Sequence, residues 1–415
     1  MFSVLRTVLP VFIAVAMIEM ASSLLIPHTS YILEQRQIST FLIGAITSCH
    51  YIGFVFGAFQ SQYLVKQIGH IRAASVYATL AASATLLHIL FDYLYIWLLL
   101  RFIIGLAIAG LFLVIESWLN AKALPQWRGR ILSLYSTISW VFSGIGPIAL
   151  RFEDSTGNMI FILVALIFVN SMLPFALTRL PNPETTITKN LGSKRIWQLT
   201  SVAVITCFTA GFIYTPLYSL LPSVMERYGF QKEQLSSLLV LGPVMVILTL
   251  TPVGWLSDKL GRLPVLAVLC LAATAVAFLG YYTAEPSFSQ IMVLFLLLTS
   301  LVAPFYSLGM GRAADIIHKN HLVEASSLLL IFWGIGAAIG PAVAGYLMKL
   351  FGVETLFLFC GIATLLLGVV ILWIVIKKPS ILKHSQQHFV AMPLSSTQNV
   401  TEVDPRSHST SNRPK

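Results

Sequence analysis

Twelve stretches of roughly 20 mostly apolar residues follow one another along this chain, the length a helix needs to cross a lipid bilayer. They are expected at Thr7–Leu33, Thr40–Val65, Ala73–Leu90, Tyr95–Asn120, Ile131–Leu150, Ile160–Leu177, Leu199–Leu221, Ser236–Leu256, Val265–Tyr282, Gln290–Ile317, Ala325–Lys349 and Glu354–Ile376. The runs are long and lack period-2 alternation, which selects helices over strands. Of 415 residues, 57% are hydrophobic and only 10% charged, whereas a soluble chain carries about a quarter charged residues. A water-solvated core cannot absorb that much apolar surface, and a bilayer can. The expected fold class is an all-α membrane protein.

Arg6 followed by the apolar Val8–Met17 has the outline of a signal peptide. The apolar run continues past Glu19 to Ile26 and beyond, long enough to span, so the segment is read as the first crossing. The net charge of +10 sits in short loops between apolar runs, a pattern of membrane anchoring and not of a nucleic-acid groove. Cys49, Cys207, Cys270 and Cys360 all fall inside apolar runs without metal-ligand spacing, and read as small packing residues. No phosphate-binding loop is present, so the sequence offers no support for direct ATP drive and calls for no cofactor.

Orientation follows from Lys and Arg. With the N-terminus in the cytoplasm, nineteen basic residues fall on the cytoplasmic side and five, Arg36, Arg151, Arg227, Lys232 and Lys349, on the outer side. Both termini are therefore expected in the cytoplasm. Residues 1–178 form one expected six-helix bundle and 199–376 a second, joined by a polar loop at 179–198. The Ser-, Gln-, Thr- and His-rich stretch at 377–415 has no apolar period and is expected to be a disordered cytoplasmic tail.

The halves repeat each other. Gln62–Arg72 matches Gly254–Pro264 with Gly69 opposite Gly261, an offset of 192. Gly144-Ile-Gly-Pro147 matches the stretch ending Ile339-Gly-Pro341, an offset of 194. Two landmarks with nearly equal offsets point to an internal duplication of six helices, an organisation found in secondary transporters.

These residues carry a family resemblance. Gly254-Trp-Leu-Ser-Asp258-Lys-Leu-Gly261-Arg262 resembles the loop signature of the major facilitator superfamily, and Arg101-Phe-Ile-Ile-Gly105-Leu-Ala-Ile-Ala109 is similar to its fourth-helix motif. Gly144-Ile-Gly-Pro147 partly resembles the fifth-helix motif of its antiporters, departing at Ala149-Leu150 where that motif has paired glycines. Tyr63–Gly69 and Glu116-Ser-Trp-Leu119 resemble the YcaD-like branch. The resemblance implies a major facilitator fold of two pseudo-symmetric six-helix bundles. It also implies secondary transport of a small organic solute across the bacterial inner membrane by a single chain. Proton coupling and, from the partial antiporter motif, export are the expected mode; proton-coupled uptake of a metabolite is the alternative. A lipid-modifying enzyme would need a His, Asp or Glu cluster near one interface, and the sequence has none. A sensor that does not transport is the other alternative of a different class.

Glu19 lies near the middle of the first run, roughly 16 Å from its inner end at 1.5 Å per residue. A carboxylate at that depth is costly and marks a proton or cation site; a structural carboxyl bonded to Ser22 or Ser23 is the plain alternative. Arg101 is expected either to line the central cavity, as the resemblance implies, or to snorkel. Tyr214 and Tyr218, an i,i+4 pair about Pro216, are expected either as cavity walls or as lipid- or protein-facing aromatics, and His28 and His50 are weaker candidates. Asp315 is one turn from Arg312, as an intrahelical pair or a cavity residue. Glu116 is expected to pair with Arg128 or Arg130. In the superfamily, as the resemblance implies, the loop Asp of one half faces the matching helix start of the other, which brings Asp258 towards Arg128–Arg130. In the first half Lys66 stands where that Asp belongs, and Glu324 matches Arg130. The expectation is a cytoplasmic gate with two pairs of opposite polarity, Lys66–Glu324 and Asp258–Arg130.

Overall fold

The computed structural model describes residues 2–122, 127–154, 157–177, 193–283, 285–317, 321–377, 388–392 and 404. These residues form helices without a strand. The crossings are α1 (Phe2–Gln35), α2 (Thr40–Ile68), α3 (His70–Leu90), α4 (Leu94–Lys122), α5 (Arg128–Ile145), α6 (Met159–Asn170), α7 (Ser193–Ser219), α8 (Lys232–Leu260), α9 (Arg262–Tyr282), α10 (Phe288–Val302, then Pro304–Ile316), α11 (Leu322–Phe351) and α12 (Thr355–Lys377). Eleven are long and apolar enough to cross a membrane by length and composition, and the remaining one extends over Met159–Phe175. An even number of crossings puts both ends of the helical region on one side, called here the terminal face.

Side chains that would be stranded in water face outward all round the molecule. Leu99, Val268, Leu279, Leu366 and Val369 are each more than half exposed, as lipid contact requires. Lys259 lies over the Trp255 ring and Lys377 over Trp373, at 3.8 and 4.4 Å from the ring centres. Both pairs sit at helix ends on the terminal face, where amphipathic rings and basic side chains mark a membrane interface.

The duplication is visible in backbone geometry. Gly69 alone separates α2 from α3, with φ 84° and ψ 165°, and Gly261 alone separates α8 from α9, with φ 99° and ψ 152°. Each amide N–H closes the preceding helix, onto Val65 and Ser257 respectively. A residue with a Cβ would be strained at both positions.

Within each bundle, glycines let backbones touch. A Cβ at Gly105 would overlap the His50 carbonyl of α2, and one at Gly336 the Phe208 carbonyl of α7. Between bundles, Gly44 of α2 abuts Pro341 of α11, and Gly345 abuts Thr40. The two matched prolines act differently. At Gly146-Pro147, α5 tightens into a 3-10 turn over Gly146–Phe152, whereas α11 stays helical through Pro341.

Two sequence expectations meet the structure at their edges. Residues 179–192 of the expected interdomain loop lie outside the described residues, and Ser193 onward already belongs to α7. In the tail, residues 388–392 pack between the bundles, bonded to Ser136 and Ser307. The apolar run Phe389-Val-Ala-Met392 supplies surface to bury, which the surrounding polar sequence does not. Except for Asp404, which is buried, the rest of 378–415 lies outside the described residues.

Candidate functional site

Hydrogen bonds tie the two bundles together at the face opposite the chain ends. Glu34 accepts from Ser223, and Gln35 donates to Glu226. Arg151 donates to Ser236 and Ser237, Ser236 donates to the Pro147 carbonyl, and Lys232 donates to the Glu153 carbonyl. Deeper in, Thr40 donates to the Gly345 carbonyl, and Ser48 accepts the Ala342 N–H. The opposite face is thereby closed.

Below this closure a cavity lies between the bundles, with about 970 Å3 of space between atoms including its mouth. Within that space about 150 Å3 is open to the centre of a water-sized sphere, about the size of an engineered cavity that holds benzene. Five helices set its chemistry. From α1 come Glu19, which is 6% exposed, and Ser22. Trp140 of α5 with Tyr214 and Tyr218 of α7 form one aromatic wall, the two tyrosine rings 4.7 Å apart. His50 and Tyr51 of α2 with Trp333 of α11 form the other, with Tyr51 and Trp333 rings 5.8 Å apart. Ser22 Oγ, His50 Nδ1, Ser139 Oγ, Trp140 Nε1 and Trp333 Nε1 are buried at this cavity without a hydrogen-bond partner among the described residues. Buried polar atoms are ordinarily paired. Polar atoms left unpaired around a cavity between the two bundles can bond a solute.

The structure brings together Glu19, Tyr214 and Tyr218 of the residues expected at the cavity. It places two others elsewhere. Arg101 neither lines the cavity nor snorkels. It is 2% exposed and donates to the Leu25 carbonyl at 2.8 Å and to Thr29 Oγ1, pinning α4 to α1 inside the first bundle. Both bonds come from Nη2; Nε and Nη1 are buried without a hydrogen-bond partner among the described residues. Asp315 also lies off the cavity, 3.4 Å from Arg262 at the terminal face. Arg262 is fully buried and also reaches Asp258 at 2.6 Å.

The expected gate pairs are not in contact in this conformation. Asp258 holds Arg262 and the Phe389 N–H, while the Arg130 guanidinium rests over Trp127. Glu324 lies 3.6 Å from His321, not at Lys66. Glu116 is fully buried and accepts from Tyr135 at 3.0 Å. Arg128 opens α5 at the same face. At the opposite face His28 is buried 3.4 Å from Glu153 and bonds the Gly157 carbonyl. Burial, and then Asp154 beside it, raise the Glu153 carboxyl from its ordinary 4.5 to about 7.

A helical membrane protein with a solute-sized cavity walled by both halves of an internal duplication is built as a membrane transporter. The chain belongs to the Major Facilitator Superfamily, whose family model matches residues 11–251 and 203–400. It is 26% identical over 331 residues to the uncharacterised MFS-type transporter YcaD of Salmonella arizonae, covering 79% of this chain and 85% of that one. It is 25% identical over 363 residues to YcaD of Salmonella paratyphi A, covering 86% and 93%. Among solved structures it resembles a mutant form of the nucleoside transporter NupG, with TM-score 0.74, 13% identity, and 88% and 99% of the two chains covered. It also resembles a bacterial homologue of the human lysosomal transporter Spinster, inward-facing and occupied, with TM-score 0.73, 14% identity, and 92% and 98% covered. At these identities the solved structures share the fold.

Proposed function

We propose that this chain is a proton-coupled secondary transporter of the bacterial inner membrane that exports a small organic solute. The observation that carries this reading is the interbundle cavity, where a buried carboxylate, Glu19, sits between two aromatic walls and among unpartnered hydrogen-bonding groups. Facing aromatic walls favour a flat solute, and aromatic faces with a carboxylate favour a cationic one. Glu19 takes the proton or the cation in turn, because a carboxylate held in a low-dielectric cavity is stable only when neutralised. The terminal face is the cytoplasmic one, since the basic residues gather there. With the opposite face closed, the cavity loads from the cytoplasm; rocking the bundles would release solute outside. The site is complete within one chain, so a monomer in lipid suffices.

The test is flux. The purified protein is reconstituted in proteoliposomes with an imposed pH gradient and offered a panel of planar organic cations and neutral metabolites. The expected result is solute movement against the proton flow, reduced at least tenfold by Glu19→Gln while the protein remains folded in the membrane. Unchanged proton-driven flux in that variant would remove Glu19 from the coupling. Co-movement of solute and protons would replace export by uptake.

A further inference from the structure

We infer that the cleft between the bundles on the terminal face is a peptide-binding site, and that the chain's own segment 388–392 occupies it as a plug over the cavity mouth. The segment is held mainly through its backbone, and by both bundles. Ser136 of α5 donates to the Ala391 carbonyl at 2.9 Å. On the other side, the Phe389 N–H reaches both carboxylate oxygens of Asp258 at 3.0 Å, and the Met392 N–H reaches Ser307 Oγ of α10 at 3.1 Å. An extended strand recognised through its main chain, with pockets for particular side chains, is a general mode of peptide capture.

The side chains supply the pockets. The Phe389 ring lies against Gly254, where any Cβ would overlap it, and 5.8 Å from the Arg262 guanidinium. Met392 is 1% exposed. Ser136, which holds the tail, is about one helical turn from Ser139, which lines the solute cavity. Ten residues separate Lys377, the end of α12, from residue 388. A tether that short gives an effective concentration in the millimolar range, so weak contacts suffice to keep the seat filled. The plug also occupies Asp258, the acid that the gate would need on closure. Plugged and gate-closed states therefore exclude each other. This inference stands on the packing and is independent of the solute or coupling ion.

The test reads access to the cavity in the purified full-length protein. Ser139→Cys is introduced, and N-ethylmaleimide modification at position 139 is timed by mass spectrometry. Phe389→Asp, which unseats the ring and repels Asp258, is expected to speed modification at least tenfold. Gly254→Val, which fills the seat from the other side, is expected to do the same. In a separate variant, Ser136→Cys with Ala391→Cys is expected to crosslink under mild oxidation, and to lose the crosslink when Phe389→Asp is added. Equal modification rates with and without both unseating substitutions would overturn the inference. So would absence of the crosslink in otherwise unaltered protein.

Discussion

At the scale of single residues, Glu153 links the closed opposite face to pH. It is 5% exposed, beside His28 and Asp154, and its carbonyl holds Lys232 across the bundle boundary. Its carboxyl is raised to about 7 while the face is closed, and opening the face returns it to water and to an ordinary value near 4.5. The closed form therefore binds the proton more tightly. As pH rises through the window from about 4.5 to about 7, the closed form loses stability relative to the open one, and above it the loss is complete. A shift of that size corresponds to on the order of 3 kcal/mol. Spin labels at Gln37 and Arg227, one per bundle, should show the longer distance gaining population between about pH 4.5 and 7. Glu153→Gln should flatten the profile. An identical profile in that variant would assign the pH response to another group.

At the scale of helices, two glycines with the same local geometry should behave oppositely. Gly105 packs α4 on α2 inside one bundle, and Gly44 packs α2 on α11 between bundles. Gly105→Val forces apart helices that never separate in the cycle. It should lower thermal stability by about 1–3 kcal/mol or more, read as a drop in midpoint in detergent. Gly44→Val should leave the midpoint near that of the parent and shift the label distances towards an open opposite face. Equal loss of midpoint in both variants would deny that the bundles separate there. This contrast also shows what the sequence could carry. With Ala109 at i,i+4, Gly105 carries a local signal of a close helix contact. Which partner it meets depends on helix rotation and tertiary neighbours, and those are not written in a one-dimensional apolar run. For the same reason Glu19, Tyr214 and Tyr218 were legible as deep or aromatic, while Trp140 and Trp333 passed as ordinary span residues. Arg101 was expected to line the cavity or to snorkel, yet its Nη2 donates to Leu25 and Thr29 inside the first bundle. The docked tail left one trace, Phe389-Val-Ala-Met392 as an apolar island in a polar stretch.

At the scale of the whole molecule, the reversed charges of the duplicated loops bear on the state in which the terminal face is shut. With the opposite face closed, Lys66 and Glu324 have no reason to meet. When the terminal face closes they should, and Asp258 should exchange the tail for Arg130. Surface pairs contribute little, but a pair buried on closure would be worth roughly 1–2 kcal/mol, about five- to thirtyfold in population. Lys66→Glu and Glu324→Lys should each slow transport by that order, and the double swap should recover part of it. Simple additivity of the two defects would dissolve the gate.

The single-residue junctions at Gly69 and Gly261 carry a mechanical consequence. A turn of one residue has no slack, so at the terminal face α2 and α3, and α8 and α9, can shift only together. Compliance must then sit where the helices are interrupted. Those places are α5, which tightens at Gly146, and α10, which breaks before Pro304. They are also the two helices whose serines, Ser136 and Ser307, grip the tail. The tail thus ties the two springs of the machine to α8, which it holds through Asp258.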